Sequence, residues 1–187
     1  MIKKNCVFFA LMLCASLFSQ VRVAIHEHRD YDEEQLKKLE QVKTLMENII
    51  NSEEFKNEIL TMKVSEDNNP DHLTNQQIYD IIMKADEVAY PNSPYVIDLN
   101  LRMKPIPFYK PFTSVVGYTY PGINYIVTFR GKFNDCELYD LVSHYTHEWT
   151  HKLGFGHEDK KTWDFSVPYL VDDIVEKLGR KWVNGNQ

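Results

Sequence analysis

Three histidines and a glutamate lie within one short segment at spacings that suit a metal ion. From His147 to His157 the sequence follows the pattern H-E-x-x-H-x-x-G-x-x-H. On an α-helix His147 and His151 lie one turn apart on the same face, where two imidazoles can bind one zinc ion at about 2.0–2.1 Å. Gly154 allows the backbone to leave the helix sharply, so that His157 can return as a third nitrogen ligand.

Glu148 is the residue of this segment that can do acid–base chemistry. It lies about 100° around the helix from His147, so its carboxylate is beside the ligands and can reach a water molecule at the ion. Three protein ligands leave a fourth position open, as in catalytic rather than structural zinc sites. The full pattern would arise by chance with a probability on the order of 10⁻⁵ to 10⁻⁴ in such a chain. We therefore predict a catalytic zinc centre rather than a structural cluster of histidines.

This segment resembles the signature of the metzincin clan of zinc endopeptidases, and its spacing is most similar to the compact matrixin-like members. The resemblance implies that His147, His151 and His157 bind Zn²⁺ and that Glu148 is the general base. It implies an α+β, zincin-like metalloprotease fold with a small mixed sheet, an active-site helix, and N- and C-terminal helices. It also implies that a peptide substrate lies against a sheet edge, for which the predicted hairpin 114–129 is the candidate.

The chain departs from the metzincin pattern after the third histidine. Metzincins place a methionine in a tight turn beneath the zinc, whereas this chain has no methionine after Met103. The corresponding residues 166–169 are Ser-Val-Pro-Tyr, so Pro168 is expected to form a rigid apolar floor in that turn. Tyr169 is a candidate to stabilise the tetrahedral intermediate, as a tyrosine after the turn does in some related enzymes, and a buried structural role is the alternative.

Several other ionisable residues have positions that suggest a role. His144 shares the metal-facing side of the helix and is predicted either to support the ligands from outside or to be a solvated or capping histidine. Glu158 is expected to support the turn that follows the third histidine. Glu176 would be the third ligand of a gluzincin, which the complete pattern makes unnecessary. His26-Glu27-His28 is predicted to be mobile surface rather than a second metal site.

Hydrophobic periodicity predicts the helices and strands that must position this segment. The predicted helices are 31–63 with a break at Asn51-Ser52, a capping-box helix from Thr74 to Pro91, a helix capped by Asn134 and Asp135 that ends at Gly154, and a C-terminal helix 170–182. The predicted strands are 95–103, with an apolar odd-numbered face, and a hairpin of 114–120 and 123–129 joined by Pro121-Gly122.

Residues 1–19 have the pattern of a secretory signal peptide. Lys3 and Lys4 precede an uncharged apolar run that is too short to span a bilayer. A lipoprotein anchor at Cys14 is disfavoured, because Leu13 occupies a position where that processing requires a small residue. We therefore expect a secreted or periplasmic protein with no stable membrane span in its mature form.

The mature chain is predicted to have two parts. Residues 20–70 form an N-terminal helical segment, which either packs on the domain or is a removable prosegment, and residues 71–187 form the catalytic domain. The acid-rich stretch 65–71 is the linker candidate. Without the signal peptide only Cys136 remains, so no internal disulfide can form and the core, with or without a metal, must hold the domain.

The charge of the chain limits its partners. A formal net charge of −6, with basic residues scattered among acidic ones, argues against nucleic acid and anionic membranes as partners. The predicted function is a zinc-dependent endopeptidase in which Glu148 accepts a proton from a metal-activated water and the substrate is a protein or peptide. One alternative is a catalytically silent zinc-binding protein of zincin fold, which has no use for Glu148. The other is a zinc amide hydrolase acting on cell-wall peptide. The sequence leaves the oligomeric state open.

Overall fold

The computed structural model describes residues 20–90, 92–108, 114–120 and 122–185. The predicted signal peptide 1–19, with Cys14, lies outside these residues, as does Pro121 of the predicted turn. The elements in chain order are β1 (Arg22–Arg29), α1 (Glu33–Ile50), α2 (Glu53–Thr61), α3 (Asn75–Lys84), β2 (Val96–Lys104), β3 (Gly117–Tyr118), β4 (Ile126–Phe129), α4 (Arg130–Asp135), α5 (Leu138–Lys152) and α6 (Val167–Gly185). The predicted α+β class is confirmed.

The four strands form one mixed sheet in the order β1-β2-β4-β3. Strands β1 and β4 both pair with β2 in parallel, and β3 is the antiparallel edge strand beside β4. The predicted apolar face of β2 is buried, as shown by Ile97, Leu99, Leu101 and Met103. Tyr95 is exposed and has a φ of 62°, so the strand begins one residue later than the alternation predicts.

The predicted hairpin is present in a much shorter form. Only Gly117 and Tyr118 pair with β4, opposite Thr128 and Val127. A Cβ atom at Gly117 would lie 2.0 Å from the Val127 carbonyl oxygen and 2.7 Å from His144 Nε2. Glycine therefore allows β3 to approach both its partner strand and helix α5, which brings the sheet edge against the helix that carries the histidines.

Strand β1 is a correction to the expectation that residues 20–70 are helical. Its sequence conceals it, because most of its side chains are exposed and the apolar alternation is confined to its first residues. His26-Glu27-His28 lies on the surface, as expected, but within the paired strand β1 rather than in a mobile segment. Val21 and Val23 belong to the same buried core as Leu39 and Trp149. The division of the chain near residue 70 stays a prediction.

The first two helices follow the predicted pattern. Asp32 and Gln35 form a capping box at the start of α1, and α1 ends at the predicted break. Ser52 then caps α2 by accepting a hydrogen bond from the Phe55 amide. Among the described residues, no helix has both the length and the apolar composition needed to cross a membrane.

Helix α5 begins later than the sequence predicts. Asn134 and Asp135 end the separate short helix α4, and α5 starts after Glu137, whose amide donates to Asp140 Oδ2 at 3.0 Å. The predicted cap was wrong because another short helix uses these polar residues at its C-terminal end. At the other end, Gly154 has a φ of +97°, the left-handed conformation that its sequence position predicts.

The residues expected to form the turn beneath the metal instead lead into helix α6. Residues Val167 to Tyr169 make its first turn, and the Leu170 amide donates to the Ser166 carbonyl at 3.0 Å. The prediction of a tight turn was therefore wrong. Pro168 is tolerated there because the first amides of a helix have no acceptor within it. The C-terminal helix itself was predicted, although it starts before residue 170.

Candidate metal centre

The three histidines of the motif converge on one point. His147 and His151 project from α5, and the chain after Gly154 brings His157 back beside them. One ligand atom from each ring lies within 4.8 Å of those from the other two. His147 Nε2 and His157 Nε2 are 3.4 Å apart. This group could hold a metal ion.

Hydrogen bonds at the outer nitrogens orient two of these rings. His151 Nδ1 lies 2.8 Å from the Phe155 carbonyl oxygen, to which it must donate because a carbonyl has no proton to give. His157 Nδ1 lies 2.8 Å from Ser166 Oγ. A proton on Nδ1 leaves the Nε2 lone pair free, and a metal ligand needs that tautomer. Asp172 Oδ2 lies 3.6 Å from His147 Nδ1.

The donor set and its spacing fit a metal ion. Two nitrogens bound at about 2.0–2.1 Å to a tetrahedral ion are about 3.3–3.4 Å apart, which matches the 3.4 Å between His147 and His157. Burial lowers the pKa of His157 to about 4 and also lowers the pKa of His151, and neighbouring histidines add to both shifts. Both rings are therefore neutral at neutral pH, as metal ligands must be.

Glu148 is buried and is held by the edge of the sheet. Its Oε2 atom accepts a hydrogen bond of 2.7 Å from the Thr119 amide. Burial raises the pKa of Glu148 to about 7, although the nearby His147 ring and the Thr119 hydrogen bond oppose this shift. A carboxylate with a pKa near 7 can both accept and release a proton at neutral pH.

His144 is a buried neighbour of Glu148, which excludes the solvated alternative. Its Nδ1 atom lies 3.8 Å from Glu148 Oε1, and only 7% of its side chain is exposed. Its Nε2 atom faces Gly117 and has no hydrogen-bond partner among the residues that the structure describes. Burial lowers the pKa of His144 to about 3, so its imidazole is neutral at neutral pH.

Tyr169 lies beside the histidines, in the first turn of helix α6. Its ring centroid is 4.8 Å from those of both His147 and His157. Burial raises the pKa of its phenol, and Asp172 adds to this shift, so the hydroxyl keeps its proton at neutral pH. The structure therefore brings this predicted residue to the cluster.

Two other predicted candidates lie apart from the ligands. Glu176 forms an ion pair with Arg180 along α6 and does not join the group of converging ligand atoms. Glu158 is exposed, and its Oε1 atom would be 2.7 Å from a Cβ atom at Gly156, so its carboxylate folds back over the loop.

A cleft of about 530 Å³ opens beside His151 and His157. Its walls come from the loop after α3, the β3–β4 connection and the loop after α5, and exposed apolar side chains line it: Val88, Tyr90, Tyr120 and Trp163. The Tyr90 hydroxyl donates to the Gly122 carbonyl at 2.6 Å and so joins two of these walls. The cleft therefore presents an exposed apolar surface next to the three histidines.

Sequence reasoning missed three residues that support this site. The Thr119 amide contacts Glu148, the Ser166 hydroxyl contacts His157, and the Asp172 carboxylate lies near His147. No local pattern marks Thr119, because its backbone and not its side chain makes the contact. Asp172 lies three residues after Tyr169, so helical spacing on α6 could have placed it on the same face.

Searches against protein-family models, curated proteins and solved structures found no match to this chain. The side chains themselves establish a group of three histidines on an α+β fold that could hold a metal ion.

Proposed function

We propose that the protein is an exported zinc-dependent endopeptidase. The observation that carries this proposal is the convergence of three imidazoles next to the buried carboxylate of Glu148. A site that only stores or recognises a metal does not need a carboxylate that is fixed by a hydrogen bond beside its ligands. Resemblance of the motif to the metzincin signature favours zinc as the metal and a peptide bond as the target.

In this proposal His147, His151 and His157 hold the metal through Nε2. When bound, zinc supplies a Lewis acid that polarises a carbonyl and lowers the pKa of water. Glu148 takes the proton of the attacking water, because the Thr119 amide fixes the orientation of its carboxylate. The same carboxyl group then gives the proton to the leaving amine.

Tyr169 is proposed to stabilise the negative charge that develops on the substrate oxygen. Its ring contacts two of the ligands, and its phenol is protonated at neutral pH. A phenol in that position can donate a hydrogen bond to an oxyanion.

The substrate is proposed to be an extended peptide along strand β3. This strand is at the edge of the described sheet, where a further strand can be added by backbone pairing. The next residue, Thr119, contacts Glu148, so a peptide added at this edge would pass beside the proposed base. The apolar cleft beside His151 and His157 can take a side chain of that peptide. Export is proposed from residues 1–19.

An unbiased peptide library tests the proposed activity. The secreted form should cleave peptides, lose this activity with a chelator and regain it with zinc, and Glu148→Gln should be inactive throughout. Hydrolysis confined to cell-wall fragments would instead identify an amide hydrolase of cell-wall peptide. A protein that binds zinc and cleaves neither class would be a binding protein, and either result would overturn the proposal.

A further inference from the structure

Helix α6 places a carboxylate behind one of the three histidines. Asp172 Oδ2 lies 3.6 Å from His147 Nδ1, on the side of the ring opposite to the Nε2 atom that faces His157. The other oxygen, Oδ1, accepts a hydrogen bond from the Ser143 hydroxyl. Ser143 is buried one turn before His147 on α5. The carboxylate is therefore fixed by the same helix that carries the ligand.

His147 differs from the other two histidines in what its outer nitrogen contacts. The Phe155 carbonyl oxygen lies 2.8 Å from His151 Nδ1, and Ser166 Oγ lies 2.8 Å from His157 Nδ1. Within the described part of the chain, His147 Nδ1 is buried and has no hydrogen-bond partner. A buried N–H group without an acceptor destabilises the folded state. The nearby oxygen of Asp172 can remove this penalty after a shift of less than an ångström.

We propose that Asp172 is a positioning residue for His147, which it holds through Nδ1 while Ser143 fixes the carboxylate. This inference rests on the proposed metal site. The negative charge makes the imidazole a stronger ligand and fixes the tautomer that leaves Nε2 free. Asp172 acts through His147, because its oxygens are not part of the group of converging ligand atoms. With Asp172 in this role, each of the three histidines has a group that orients it at Nδ1.

Zinc affinity measured by competition with a chromophoric chelator tests this inference. Asp172→Ala should weaken zinc binding by about 10–100-fold, because loss of a partner behind a ligand has effects of this size. Asp172→Asn keeps the shape but not the charge, and Ser143→Ala releases the carboxylate, so each should give a smaller loss. The matched control is Asp173→Asn, which makes the same charge change on an exposed neighbouring residue of α6. It should leave the affinity unchanged.

The NMR signal of the His147 ring distinguishes this positioning role from a purely structural contact between α5 and α6. In the zinc-loaded protein, the Nδ1 proton resonance of His147 should move in Asp172→Asn, and those of His151 and His157 should not. If Asp172→Ala does not fold, Asp172→Asn and Ser143→Ala provide the same comparison. Wild-type affinity in all folded variants, or an equal loss in Asp173→Asn, would overturn the inference even if the protein binds zinc and cleaves peptides. A wild-type protein that binds no zinc would overturn the proposed function as well.

Discussion

The Thr119 amide donates a 2.7 Å hydrogen bond to Glu148 Oε2 and so links the edge of the sheet to the helix that carries the histidines. Thr119 follows β3 directly, and β3 reaches this position because Gly117 allows the backbone to pass close to His144. The orientation of the proposed base therefore depends on a strand of two residues and on one glycine.

Gly117→Ala should break the hydrogen bond between the Thr119 amide and Glu148. The added Cβ atom would meet the Val127 carbonyl and the His144 ring, so β3 must move away from both. We expect a lower free energy of unfolding and a larger proportional loss of peptide cleavage than of zinc affinity, because the ligands lie elsewhere. Denaturant unfolding, zinc competition and cleavage rates would measure the three effects. Unchanged cleavage would show that the Thr119 contact is not needed to orient Glu148.

Glu148→Gln should retain zinc and lose turnover. The amide keeps the shape of the side chain and can still accept from Thr119, but it cannot take a proton, and loss of general base catalysis lowers the rate by about 10²–10⁴-fold. Metal content and cleavage rate should be measured together. Glu176→Gln is the control, since that carboxylate pairs with Arg180 and should affect neither quantity. Substantial turnover in Glu148→Gln would contradict the assigned role.

Gly154→Ala should weaken zinc binding by displacing His157. Its φ of +97° is unfavourable for alanine, and the new Cβ atom would lie 3.2 Å from Val88 Cγ2. Gly122→Ala is a matched control, because Gly122 has a φ of +84° and nothing lies within 4 Å of the Cβ atom that alanine would add. Left-handed backbone in a non-glycine residue is unfavourable by about 1–2 kcal/mol. Both variants should therefore lose stability, but only Gly154→Ala should lose zinc affinity. Equal affinities would show that the His157 loop tolerates the change.

The metal-free protein should lose stability in acid partly through His144. Burial lowers the pKa of this imidazole to about 3 from its usual 6.5, so the folded state resists a proton that the unfolded chain accepts. The resulting stability is complete above about pH 6.5 and is lost as the pH falls toward 3.

Two measurements check this expectation. The ring nitrogen shifts of His144 should report a neutral imidazole at pH 5, and the free energy of unfolding should depend less steeply on pH in His144→Gln than in the wild type. A charged His144 at pH 5 would contradict it.

Local sequence patterns predicted the parts of this fold that neighbouring residues determine. The i, i+4 spacing and Gly154 predicted how the three histidines meet, and alternation predicted the buried face of β2. Strand β1 escaped prediction because most of its side chains are exposed and pairing with β2, far along the chain, defines it. The partners of Glu148 and His147 escaped for a similar reason, since tertiary packing brings Thr119 and Asp172 to them.

Zinc-edge X-ray absorption on the protein loaded with one equivalent of zinc shows whether the three histidines bind the metal. We expect three nitrogen ligands and one oxygen ligand at about 2.0–2.1 Å, with one nitrogen lost in His157→Ala. A protein that takes up no zinc, or a ligand set that is the same in His157→Ala as in the wild type, would contradict it.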